Sequence, residues 1–174
     1  MALWSVTSFI LLNPLCDSTV AAESLQAETI EIAADEVVTT DLFITAGVAT
    51  ISGKVEGDLF IIANEVRISG EIGGSTYLLA RTTQVSGTMQ GTVRWAGDSI
   101  SLLENASLAR DLFALGNSVS TEPQTQITGS LNVAARSLDL QGDVVQEARL
   151  AGDDVKLVGR FESDVSLAIA SVSG

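Results

Sequence analysis

Histidine is absent from this 174-residue chain, and cysteine occurs once, at Cys16. Without histidine there is no imidazole general base, and without a Cys/His set there is no zinc site of the usual kind. A lone cysteine also excludes an internal disulfide. Positive charge is scarce too: nine Lys and Arg stand against 22 Asp and Glu, the net charge is -13, and no base precedes Lys54. Nucleic acid and anionic membrane surfaces are held by clustered cations that displace counterions. No such cluster is present, so nucleic acid is excluded as an electrostatic partner.

What is present is apolar. Hydrophobic residues make up 46% of the chain, which places it among folded proteins of one domain. Residues 1–22 have the outline of a secretory signal: an apolar core from Ala2 to Leu12, then Pro14, then the small residues Thr19-Val20-Ala21-Ala22, with cleavage expected after Ala21 or Ala22. The apolar run is interrupted too early to span a bilayer as a helix. The pattern predicts export to the periplasm or cell envelope and no transmembrane helix in the mature chain. The alternative is a cytoplasmic protein with a hydrophobic N-terminal plug.

The rest repeats itself. Residues 41–57, DLFITAGVATISGKVEG, align without a gap on residues 58–74, DLFIIANEVRISGEIGG, and further units begin at Ser75, Thr92, Asp111, Ser130, Glu147 and Asp164. Positions two and four of each unit are apolar, the fourth reading Ile44, Ile61, Leu78, Trp95, Ala114, Val133, Leu150 and Leu167, and position six is small, from Ala46 to Gly152. Alternation of period two is a strand signal. A second run alternates through pairs such as Val66 and Ile68, and a third is marked by Val55, Ile72, Met89, Val144 and Phe161, each two residues after a glycine. Three short strands and three corners therefore make one unit.

A 17-residue unit is too short for a βαβ crossover or a packed helix pair, but it suits one rung of a three-sided parallel β-solenoid. Rungs about 4.8 Å apart would build a rod of roughly eight rungs and about 38 Å. The units beginning at Thr92 and Asp111 are two residues longer, and both insertions fall at one corner, around Asn105 and Gln124. Corner insertions leave strand register intact. The expected organisation is a leader at 1–22, a capping segment at 23–40 that is rich in acids, and the repeat domain at 41–174.

The recurring pattern G-D-[LV]-x-x-A-x-x-V-x-I-x-G-x-[VI]-x-G, read in residues 57–74 and echoed in most other units, resembles the bactofilins, the polymer-forming cytoskeletal family. It is most similar to their exported bacterial envelope relatives, which also carry the longer corner. The likeness covers residues 31–174. It implies a single-stranded right-handed parallel β-helix with a structural or scaffolding role, no catalytic residues, and no cofactor or metal.

Two groups of carboxylates invite a chemical reading. The first column, Asp41, Asp58, Ser75, Thr92, Asp111, Ser130, Glu147 and Asp164, is a row of short oxygen donors. At corners such residues usually bond their own backbone. Asp153 and Asp154, with Asp98 two or three rungs away, could serve as an acid/base pair on a glycosidic bond, but short corners leave no concave site around them.

The outward positions of the first side are different in kind. Phe43, Phe60, Ile62, Tyr77, Leu79, Phe113 and Leu115 are predicted to form an exposed apolar strip, whereas the outward positions of the other two sides are polar. Exposed apolar strips mark association surfaces. The open strand edge near Leu167, Ile169 and Val172 offers a second route, end to end. The expected function is thus a non-catalytic scaffold of the bacterial envelope that forms a homo-oligomer or polymer or organises partners. The alternatives are a binding module for envelope polysaccharide or protein and, more remotely, a β-helical polysaccharide-active enzyme.

Overall fold

The computed structural model describes residues 22–169. Of the expected leader, residues 1–22, all but Ala22 lies outside that range, as does Val172. Within it the regular structure is entirely β. The strands in chain order are β1 (Ala22–Ile32), β2 (Val37–Val38), β3 (Asp41–Ile51), β4 (Lys54–Val55), β5 (Leu59–Ile68), β6 (Glu71–Ile72), β7 (Thr76–Val85), β8 (Thr88–Met89) and β9 (Val93–Leu102). They continue as β10 (Ser107–Leu108), β11 (Leu112–Thr121), β12 (Gln126–Ile127), β13 (Leu131–Leu140), β14 (Asp143–Val144), β15 (Ala148–Gly152), β16 (Asp154–Leu157) and β17 (Val165–Ile169).

Long and short strands stack separately. The long ones form one parallel sheet in the order β1-β3-β5-β7-β9-β11-β13-β15-β17, with β16 beside β13, and the two-residue strands from β2 to β14 form a second sheet. Each residue lies beside its equivalent one unit on, as Phe43 beside Phe60 and Phe60 beside Tyr77. The expected parallel β-solenoid is the fold, with about nine turns.

The separation into three strands per unit is not met everywhere. In most rungs the first two runs merge into one strand of ten or eleven residues that bends in the middle. Pairing skips only the seventh position there, as at Gly47 beside Asn64 and Asn64 beside Arg81. The small sixth-position residue lets neighbouring backbones stay close enough for the ladder to continue on both sides of the bend.

Residues 22–40 form a rung of their own. Ala22 pairs with Asp41 and Ile32 with Ile51, a spacing of 19 residues, so this rung carries the longer corner. All three longer corners close in the same way: the N–H groups of Glu36, Ala106 and Thr125 donate to the carbonyls three residues earlier, Ala33, Leu103 and Glu122, at 3.0, 3.1 and 3.3 Å. Asn105 and Gln124, at equivalent places, take left-handed φ values of 68° and 69°. The shorter corners instead need glycine. A Cβ on Gly70 would lie 1.8 Å from the carbonyl oxygen of Gly53 in the rung before.

The interior is a continuous stack of Leu, Ile and Val, including Leu42, Leu59 and Leu112 in one column and Ile51, Ile68 and Leu102 in another. Its polar exceptions are satisfied. The Trp95 indole N–H donates to Thr83 Oγ1 at 3.0 Å, Thr125 Oγ1 donates to the Leu103 carbonyl at 3.2 Å, and Thr121 Oγ1 accepts from the Gln141 and Gly142 N–H groups at 3.0 Å. Trp95 also bears on one small residue: a Cβ on Gly116 would meet its ring at 2.5 Å, whereas one on Gly97 would first meet the Ala80 carbonyl oxygen, at 1.7 Å.

Candidate functional site

Strand geometry decides which side chains face water. Successive residues point to opposite sides of a strand, so positions two and four of each long strand fill the core and positions three and five face out. Ile61 is 1% exposed and Ile62, its neighbour, is 55% exposed. The strip residues lie where the alternation puts them: Phe43, Phe113, Ile62, Leu79 and Leu115 are exposed, and Phe60 and Tyr77 are partly covered by one another.

The rungs bring these residues together vertically. The Phe43 and Phe60 rings stack with centroids 4.4 Å apart and planes 1° from parallel, and Phe60 and Tyr77 stack at 4.6 Å and 2°. The spacing matches the rise between rungs, so ring faces cover each other and ring edges meet the solvent. Arg94 continues the column. Its guanidinium sits 5.3 Å from the Tyr77 centroid and 5.6 Å from that of Phe113, between the two rings. Sequence reasoning missed Arg94 because a basic residue breaks an apolar pattern. The signal was its register, one unit after Tyr77 and one before Phe113.

The two outward columns contain no carboxylate among the described residues. The third position runs Ser24, Phe43, Phe60, Tyr77, Arg94, Phe113, Asn132, Arg149 and Ser166, and the fifth runs Gln26, Thr45, Ile62, Leu79, Ala96, Leu115, Ala134, Ala151 and Ala168. Arg81 and Arg136 stand at the bend beside them. Among the described residues Arg81, Arg94 and Arg136 make no ion pair within 4.0 Å. An open hollow of about 1010 Å³ lies over this face, floored by the strip and by Arg94, Asn132 and Arg149.

Compared with family models, with curated proteins and with solved structures, the chain matches none.

The other sequence candidates are placed elsewhere. In the first column the carboxylates do not bond their own turns. Asp41 Oδ1 accepts the Asp58 N–H at 2.8 Å, Asp58 Oδ1 accepts the Ser75 N–H at 2.7 Å, and Asp111 Oδ1 accepts the Ser130 N–H at 2.8 Å. Each reaches the N–H at the equivalent place in the next rung, and so ties neighbouring corners together. Asp98 is separated from Asp153 by Asn117 and Arg136 in the same column, which is three rungs or about 14 Å, beyond the spans used by paired glycosidase carboxylates. Asp98 instead accepts a hydrogen bond from Asn117 Nδ2 at 2.5 Å. None of Asp98, Asp153 and Asp154 lines the hollow.

Leu167 and Ile169 are 42% and 57% exposed on β17, which pairs with β15 on one side and with no described strand on the other. No helix among the described residues is long and apolar enough to cross a membrane.

Proposed function

We propose that this protein is a non-catalytic structural rod of the bacterial cell envelope that associates with copies of itself through its first face. The bactofilin resemblance supports a scaffolding role, and the parallel β-solenoid is the fold such a role uses. The observation that carries the reading is the first face itself: a Phe43-Phe60-Tyr77 stack flanked by Ile62, Leu79 and Leu115, with no acidic residue in its outward columns. A contiguous apolar strip of this kind on an otherwise charged monomer favours association.

The polysaccharide-binding alternative is less well supported by the geometry. Sugar recognition by aromatic side chains uses exposed ring faces, and here stacking takes up both faces of Phe60 and one face each of Phe43 and Tyr77.

Sedimentation and negative-stain microscopy of the purified chain test the proposal. Concentration-dependent assemblies are expected. A monomer that persists at high concentration would refute it, and recovery of the protein from the cytoplasm would refute the envelope assignment.

A further inference from the structure

We infer that the first face pairs with the first face of a second copy, with the two rods antiparallel about a two-fold axis that passes through Tyr77 and Leu79. The inference rests on the self-association reading above and specifies its partner and register.

Charge selects the partner's surface. Two chains of net charge -13 repel, and they approach at least cost where carboxylates are fewest. The outward columns of the first face meet that condition along every described rung. Guanidinium groups without ion partners, Arg94 in the strip and Arg136 at its edge, add a need for something to pack against or pair with.

Two faces that meet across a two-fold axis lying in their plane have two arrangements. With parallel rods, the third position of one copy faces the fifth of the other. Arg94 would then be covered by Ala96, which takes the guanidinium out of water and offers it neither a ring nor an acceptor in return, a costly exchange. With antiparallel rods, third faces third in reversed order, and the column is self-complementary about Tyr77. Phe43 meets Phe113, and Phe60 meets Arg94. This second contact repeats between copies what Arg94 already does within one, where it lies 5.3 Å and 5.6 Å from two ring centroids. In the fifth column Leu79 meets Leu79 and Ile62 meets Ala96. At the bend Glu28 comes opposite Arg136, while Arg81 faces its own copy with Asp98 of that copy one rung away.

The size of the contact sets its strength. Seven facing rungs of about 4.8 Å and a face about 17 Å wide give roughly 570 Å² on each copy. The total of about 1,100 Å² lies at the lower limit for specific interfaces. The dimer is therefore reversible and dissociates on dilution.

Cross-linking in a Cys16→Ser background tests the register. Sheets packed face to face lie about 10 Å apart, within reach of a short bismaleimide. Chains carrying Phe43→Cys are mixed with mass-tagged chains carrying Phe113→Cys. Cross-links between unlike chains are expected, and links between like chains are not, since like residues stand four rungs apart. Links between like chains would overturn the antiparallel arrangement and leave self-association standing. A dimer by sedimentation with no cross-link of either kind would overturn the face. No dimer at any concentration would overturn the self-association reading as well. A second pair of variants needs no cross-linker: Phe60→Glu, facing Arg94, keeps the dimer, whereas Phe43→Glu, facing Phe113, raises its dissociation constant at least about tenfold. Equal weakening by both contradicts the register.

Discussion

The first and third faces of the rod share one core and differ in what they show to water. Inward, both present stacked apolar columns, with Leu59 and Ile61 behind the first face and Val55, Ile72 and Met89 behind the third. Outward, the third face holds Lys54 3.8 Å from both Glu56 and Glu71, an ordinary solvated network. The first face holds stacked rings, aliphatic side chains and an arginine between two aromatics. The inward pattern is sufficient for the solenoid, as the third face demonstrates. The core does not require an apolar exterior on the first face; ring stacking adds to the stability of the coil, and the proposed self-association would account for the rest of the strip.

The largest expected effect separates the two sides of one strand. Ile61→Ala, at 1% exposure, should cost about 2–5 kcal/mol in urea or thermal unfolding. Ile62→Ala, at 55% exposure, should stay within about 0.5 kcal/mol. Comparable losses would mean that the face assignment is wrong. Next is Thr83→Val, which leaves the buried Trp95 N–H without its acceptor and should cost about 1–3 kcal/mol. A blue shift in Trp95 fluorescence would accompany it.

Smaller effects belong to the exterior. Phe60→Ala removes two ring contacts and should lower stability by about 1–2 kcal/mol, while Gln84→Ala on the second face should be neutral. Lys54→Ala breaks exposed ion pairs and should cost less than about 1 kcal/mol, and added salt should erase that difference. Salt should act the opposite way on association, strengthening it by screening the net repulsion between acidic chains.

The columns of the core were legible because the fold repeats its own geometry. An inward Ile44 predicts an inward Ile61 one unit later, and the exterior followed from the same alternation. Residues 22–40 were harder to read. Their rung is 19 residues long and sets Glu23 beside Leu42, so a 17-residue frame finds poor columns there. The first-column aspartates were misread because sequence proximity suggests a local turn, whereas their carboxylates accept from N–H groups of the next rung. Arg94 shows the remaining gap. Alternation reports which face a side chain is on, and only register reports that its vertical neighbours are rings.

Sedimentation equilibrium across a wide concentration range, run on three chains, compares the faces directly. The unaltered chain should rise in mass toward a dimer. Phe43→Asp combined with Phe113→Asp, which sets carboxylates against carboxylates on the first face, should raise the dissociation constant at least about 100-fold. Thr50→Asp combined with Thr88→Asp, which adds the same charge to the second and third faces, should change it far less. A monomer throughout, or equal weakening by both pairs, would contradict association through the first face.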